Sequence, residues 1–311
     1  MGPLLFTPNY IAPVWSGPRI NEVRGLAGPE LFGEAFDLSA HRGMVTAVRG
    51  GQYDGMPLDV LLVRHGKEIL GESAANADGV IQVLLLDASQ TVSVQVHPTE
   101  AYAQAHESDH EKAETWYVLD AEPGATLIAG SLTDDVSALR AAAADDTIGE
   151  KYGRRLAVSA GDVVSVSAGT MHAYGAGIFG IEIGTLGFTT YRLCDWGRGR
   201  ELHVEKGFDV LDASLQPEVV RCGIFDPDAA SVRHVVDHPL YEVDVVDVGN
   251  EAWSLELEGT YRVLTCVAGS AEISTPDGAA RLGFTESCLV PASAGRLTVT
   301  GPCRLLVSRA K

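Results

Sequence analysis

The chain reads as a mainly β protein built from two β-domains, the first interrupted by helices. Three observations predict this. Short β-branched or apolar segments, punctuated by Gly, Pro, Asp and Ser, run through most of the 311 residues. From Tyr241 onward such segments recur at short, regular intervals, the signature of an antiparallel sandwich or barrel. Only a few stretches carry helical spacing, and most of these fall before residue 213.

In the first domain, placed at residues 1–212, the strand candidates are VIQVLLLDA from Val80, TVSVQVH from Thr91, ETWYVLD from Glu114 and TLIAGS from Thr126. Residues 99–113 are Ala- and Glu-rich, with Thr99 as N-cap of a short helix. Residues 133–148 place Val136, Leu139, Arg140 and Ala143 at helical spacing after an acidic first turn, with Ala143 to Asp146 as its exposed end. A connecting helix follows from Glu201, with Gly207 as its weak point. The second domain, residues 213–311, contains YEVDVVDV, WSLELEG, YRVLTCVAG, SAEISTP, ESCLVPA, GRLTVTG and RLLVSR. It has no histidine after His238, so a histidine-based metal centre is not expected there.

Composition bounds the function. A hydrophobic fraction of 46% fits a soluble globular chain, and no apolar run reaches the eighteen residues of a membrane span. No signal-peptide pattern is apparent at the amino terminus, so a cytoplasmic location is the default expectation. A formal charge of −19 argues against nucleic acid or an anionic membrane as main partner, but leaves room for an anionic small substrate held by local cations. The five scattered cysteines form no C-x-x-C pair and read as reduced core thiols.

The chemistry concentrates in SVQVH, residues 93–97. Strand alternation puts Ser93, Gln95 and His97 on one face and Val94 and Val96 on the other. A Gln and a His two apart are either a soluble face or two donors to one metal ion, and this strand alone leaves both open. A second stretch runs Gly161, five residues, then Ser167-x-Gly169-x-x-His172. It resembles the second motif of the cupin barrel with Ser167 in place of a proline, a turn at Gly169 delivering His172 to the barrel mouth. Gln95, His97 and Glu114 fit the first cupin motif, with a helical insertion at residues 98–113 between them. Two imidazoles, one carboxylate and one amide oxygen suit Zn²⁺, with Fe²⁺, Mn²⁺ or Co²⁺ as alternatives. His41, His65, His106, His110, His203, His234 and His238 sit in no comparable pattern and are expected to face solvent or cap elements.

The resemblance then narrows. SVQVHP from Ser93, KAETWYVLDAEPGA from Lys112, GTMHAYGAG from Gly169, and TYRLCDWGR with the RELH that follows it resemble the type I mannose-6-phosphate isomerase family over residues 6–212. GEAFDLSAH from Gly33 echoes that family's Gly-Glu-Trp-Glu-Ile-Ser-Ala-His stretch. The family's short form also ends in a metal-free cupin barrel. The resemblance implies one zinc per chain on Gln95, His97, Glu114 and His172. It implies interconversion of an aldose and a ketose phosphate, mannose 6-phosphate and fructose 6-phosphate as the expected pair. Arg192 and Lys112 match its catalytic cations and Glu182 a pocket glutamate, while alternation between Ile181 and Ile183 also puts Glu182 on the polar face. Ser93 and Trp15 would line the pocket, and Arg198 would assist with the phosphate. The oligomeric state is not implied.

The substrate side departs from the family. Its usual Gln-Gln-x-Ser-Asp is GTLGF here, so Phe188 replaces a carboxylate four residues before Arg192; Leu84 replaces a lysine; and Trp-Gly-Gly is Trp15-Ser-Gly. A phenyl ring neither accepts a proton nor binds a hydroxyl. Two alternatives follow: an isomerase or epimerase of the same fold acting on another sugar, or a non-catalytic sugar-binding cupin.

Overall fold

The computed structural model describes residues 1–71 and 79–311. Four antiparallel sheets carry the fold. A seven-stranded sheet is ordered Val219–Arg221, Asp162–Val166, Glu114–Ala121, Ile178–Gly184, Gln82–Ala88, Glu34–Leu38, Asn9–Ile11. Facing it is a five-stranded sheet of Tyr191–Cys194, Val94–Val96, His172–Ala173, Thr126–Ser131 and Gly153–Ala157. The carboxy-terminal half repeats the arrangement. Its seven-stranded sheet runs Ser231–Asp237, Tyr241–Val248, Cys303–Ala310, Arg262–Gly269, Ser287–Val290, and its four-stranded sheet holds Trp253–Glu256, Arg296–Thr300, Ala271–Thr275 and Gly278–Leu282.

The two halves exchange strands. Leu4–Thr7 and Ala47–Arg49 complete the carboxy-terminal seven-stranded sheet, Leu4 pairing with Leu289, while Val219–Arg221 edges the sheet that holds Glu114. Alternation explains why each large sheet is apolar on both faces. Trp116, Val118, Leu84 and Leu86 point to the five-stranded sheet, and Tyr117, Val83, Leu85 and Ile181 point to Val243, Val263 and Leu306 of the other half. Polar groups reaching this interface are matched: Thr115 Oγ1 and Tyr241 Oη lie 2.8 Å apart, and Arg304 forks onto Asp247 at 2.6 and 2.8 Å.

The predicted strands lie within or across the observed ones, and the differences are in the helices. Thr99 sits at the N-cap of the helix Glu100–His106 but its side chain makes no capping bond. The 133–148 stretch becomes Val136–Ala144, capped by the Asp135 carboxylate accepting from Ser137 and Ala138, and then Ile148–Tyr152. Ala143, expected at an exposed end, is buried, because it packs with Leu139 and Ile148 beneath the five-stranded sheet. In Val204–Val210, Gly207 is a close-approach position: a Cβ there would meet Leu193 Cδ2 at 2.5 Å. Arg19–Arg24 and Leu58–Leu70 are helices that the strand-dominated pattern did not reveal; the latter buries Leu58, Leu61, Leu62, Ile69 and Leu70 in the inter-sheet core.

Candidate active site and metal centre

Three adjacent strands of the five-stranded sheet place Arg192, Gln95 and His172 side by side. Arg192 is the cross-strand partner of Gln95, and Gln95 of His172. His97 follows one residue beyond its strand, and its carbonyl accepts the Gly169 N–H at 2.9 Å. Gly169 has φ +84°, which ties the turn before His172 to the strand carrying His97. The facing sheet presents Glu114, Trp116, Glu182, Leu84, Phe36 and Glu34 on its inner surface. Glu182 is the partner of both Trp116 and Leu84, and Glu34 of Leu86. Ile181 and Ile183 point to the opposite core, as the alternation requires.

His97, Glu114 and His172 offer ligand atoms within 4.8 Å of one another, and each is at most 1% exposed. Both imidazoles have a fixed tautomer. His97 Nδ1 lies 2.9 Å from the Thr189 carbonyl and His172 Nδ1 lies 2.8 Å from that of Thr170; a carbonyl only accepts, so both Nδ1 atoms carry the hydrogen. The two Nε2 lone pairs then face each other at 3.1 Å. Glu114 Oε1 lies 3.1 Å from His97 Nε2 and Oε2 lies 3.6 Å from His172 Nε2. Neither carboxylate oxygen has a hydrogen bond of good angle, although the Lys112 ammonium is 2.6 Å from Oε1. The Gln95 amide lies 3.3 and 3.5 Å from the two Nε2 atoms, and a half-turn of the amide points its oxygen at them. Burial, aided by His97, pushes His172 down to about 3, so it is a neutral donor. Converging lone pairs with no proton between them fit a divalent cation.

Around this group the charges are set against one another. Burial disfavours the Lys112 ammonium, but Glu114 at 2.6 Å and Glu182 at 3.8 Å outweigh it and raise its pKa. Burial works on Glu114 in the other direction; Lys112 and His97 overcome it and hold the carboxyl well below its usual range. Glu182 is pushed up to about 8 by burial and the nearby Glu114 charge, although Lys112 opposes this and Trp116 Nε1 donates to it at 3.2 Å.

A cavity of about 240 Å³ opens between the sheets onto these groups. Trp15, Ser93, Gln95, Lys112, Glu114, Glu182 and Arg192 all line it, and His97 and His172 lie buried against Glu114 at its floor. Ser93 donates to Gln95 Oε1 at 3.4 Å, and Trp15 is also packed into the core between the sheets. Arg198 is not among the lining residues; its guanidinium bonds the Asp195 and Thr91 carbonyls at 2.9 and 3.1 Å. Two charged lining residues escaped the sequence reading. Arg200 comes from the loop after Tyr191–Cys194. Glu34 is half-buried near Lys112 and Glu114, its pKa raised by desolvation; its alternation with Phe36 was the available signal. His41, expected to be solvent-facing or capping, instead stands behind the cavity wall against Phe188.

Comparison with known proteins agrees with this geometry. Residues 233–310 match the family model described as the cupin domain of mannose-6-phosphate isomerase. The chain is 38% identical over 217 residues to the mannose-6-phosphate isomerase of Streptococcus mutans, covering 67% of each chain. It is 27% identical to ManA of Bacillus subtilis, a mannose-6-phosphate isomerase, over 98% of both. The fold matches the crystal structure of the Bacillus subtilis mannose 6-phosphate isomerase with a TM-score of 0.85 at 24% identity, over 99% of this chain and 100% of that one. A mannose 6-phosphate isomerase solved with zinc and yttrium bound superposes with a TM-score of 0.74 at 15% identity, over 100% of both chains.

Proposed function

The chain belongs to the type I mannose-6-phosphate isomerases of the cupin superfamily and is an aldose–ketose isomerase, and from that premise we propose that it interconverts mannose 6-phosphate and fructose 6-phosphate with one Zn²⁺ per chain. The metal is held by Gln95, His97, Glu114 and His172. Bound there, it supplies a Lewis-acidic centre for the sugar oxygens beside the reacting carbons. Residues 1–212 supply most of the catalytic cupin barrel and residues 213–311 most of a smaller, metal-free one, with Leu4–Thr7, Ala47–Arg49 and Val219–Arg221 exchanged between them, in the cytoplasm.

The carrying observation is Lys112, paired with Glu114 at 2.6 Å and Glu182 at 3.8 Å on the cavity wall. Isomerisation needs a group that takes a proton from C2 and returns it to C1, and a cation for the enediolate oxygens formed between. Glu182, its pKa pushed up to about 8, takes the proton as a carboxylate and returns it as the acid. Lys112, held protonated, stabilises the negative oxygens as they develop. Trp116 fixes the Glu182 carboxyl through its indole N–H, so the base faces the cavity instead of rotating freely. Arg192 supplies positive charge for the phosphate from the adjoining strand.

The wall of Phe36, Leu84 and Phe188 favours a second reading, the same chemistry on a differently substituted sugar phosphate. A binding-only role is disfavoured by Lys112 and Arg192 both facing the cavity. A coupled assay across aldose and ketose phosphates, with metal analysis of the same sample, tests the proposal. Turnover led by mannose 6-phosphate with about one zinc per chain supports it, and absence of turnover on every hexose phosphate sinks it.

A further inference from the structure

Three cations line the cavity: Lys112, Arg192 and Arg200. Lys112 is already engaged by Glu114 and Glu182. The other two stand apart from the proton-transfer group, and both converge on one buried carboxylate. Asp195 is 1% exposed. Its Oδ1 accepts from Arg200 Nε at 2.9 Å and from Arg200 Nη2 at 2.6 Å, while Oδ2 accepts the Arg200 backbone N–H at 2.9 Å. Arg198 Nε lies 3.3 Å and Arg192 Nε 3.9 Å from the same Oδ1. Three guanidiniums against Asp195 and the Asp146 carboxylate behind it leave a net charge of about +1 at this corner of the site. The surplus is visible in the hydrogen bonding: Arg192 Nε and Arg198 Nη2 are buried without an acceptor.

The knot is anchored from behind. The Asp146 carboxylate accepts the backbone N–H groups of Asp195 and Gly197, so the loop that carries Asp195 is fixed before any ligand arrives. Arg192 itself is restrained by its donation to the Glu201 carbonyl at 2.7 Å.

We infer that Asp195 is a positioning residue that holds Arg192 and Arg200 as a two-guanidinium clamp for the substrate phosphate, with Arg200 a binding residue of that clamp. A planar guanidinium presents two parallel N–H donors to a phosphate, and two of them fixed in advance spare the entropy of gathering loose side chains. The placement also separates the two ends of the substrate. The proton-transfer carboxylate Glu182 lies on the seven-stranded sheet, and the clamp lies at the edge strand of the five-stranded sheet and the loop after it. The identity of the anion as a sugar phosphate rests on the isomerase proposal; the clamp itself does not.

The test is calorimetric titration of the metal-loaded protein with inorganic phosphate, alongside steady-state kinetics on mannose 6-phosphate. Arg200→Gln and Asp195→Asn should each weaken phosphate binding by roughly ten-fold or more. Both should raise KM for mannose 6-phosphate in parallel, with kcat changed far less. Arg200→Lys should recover part of the loss, and Arg155→Gln, the same charge change at an exposed site, should bind as wild type does. The Arg200 side chain is 35% exposed, so its variant tests the clamp even if the Asp195 variant does not fold. Unaltered phosphate affinity in Arg200→Gln, or an equal loss in Arg155→Gln, overturns the inference while leaving the isomerase proposal standing. Lost phosphate affinity in a protein whose wild type turns over no sugar phosphate supports the clamp and removes the isomerase proposal.

Discussion

Phe188 stacks on His41 with ring centroids 4.4 Å apart and planes 15° from parallel. Phe36 lies on its other side at 5.7 Å, so the ring is a fixed wall between the cavity and the groove beyond His41. The loop is pinned by Asp109, which accepts from Phe188 N, Thr189 N and Thr189 Oγ1 at 3.0, 2.8 and 2.6 Å. An apolar wall makes no hydrogen bond to a sugar hydroxyl, and a site without such a bond discriminates weakly against its loss. At least one monodeoxy analogue of the substrate should therefore retain kcat/KM within about ten-fold of the parent. A kinetic series of deoxy sugar phosphates checks this; losses of about a thousand-fold or more for every analogue would refute it. Phe188→Asp should restore that discrimination and lower stability by about 2–4 kcal/mol, from lost ring packing and a carboxylate left between two rings.

The converging Nε2 atoms of His97 and His172 predict a metal-dependent fold as well as a metal-dependent reaction. His172→Ala should abolish stoichiometric zinc and activity together. Chelation of the wild type should lower its unfolding free energy by about 4 kcal/mol if free metal normally stands near a thousand times Kd. Elemental analysis and denaturant titration, each with and without chelator, give the comparison. Retained zinc in folded His172→Ala would place the metal elsewhere.

Arg192 reaches the cavity from an edge strand, and its guanidinium donates to the Glu201 backbone carbonyl. Arg192→Ala should leave the fold intact and cost roughly 2–4 kcal/mol of transition-state stabilisation, read from kcat/KM. Circular dichroism of the same sample separates lost chemistry from lost structure.

Glu182 carries a pH signature. Its folded pKa near 8 stands above the ordinary 4.5, so between those values the native state holds a proton that the unfolded chain has released. Stability from this group is present below about pH 4.5 and is lost as pH rises through 8, by up to about 1.4 kcal/mol per pH unit. A dication beside Glu114 opposes the shift, so the measurement belongs to metal-free protein. Denaturation across pH 5–9 should show the decline in wild type and a flatter profile in Glu182→Gln; identical slopes would contradict the raised pKa.

What the sequence made legible is what strand periodicity encodes. Gln95 and His97 two apart, Glu114 at the head of an alternating strand, Glu182 between two isoleucines, and His172 after Gly169 each have a local signal, and the fold brings all of them to one floor. Arg200 and Asp195 fell within the TYRLCDWGR and RELH motifs, but nothing there gave either of them a role. They lie in a loop of charged and glycine residues, where no period distinguishes a guanidinium aimed at a cavity from one aimed at water. Gly207 was misleading for a related reason. Propensity marks a glycine as a helix weakness, and only packing against Leu193 reveals that the missing side chain is what lets the helix dock. The helix Leu58–Leu70 escaped because its apolar side lies against strands from both halves, so its burial is decided by residues far away in sequence.

The exchange of strands between the two halves bears on how the molecule is made. Leu4–Thr7 is synthesised long before its partner Ser287–Val290. Until that partner is made, the strand has only Ala47–Arg49 beside it among the described residues, and the rest of its sheet does not yet exist. The sheet carrying Glu114 likewise lacks its edge until Val219–Arg221 follows. Such distant pairings slow folding and leave bare strand edges in the meantime. Biogenesis of the catalytic half is thereby bound to completion of the other, and a nascent chain arrested before its carboxy-terminal strands should be a client for chaperones instead of a working enzyme.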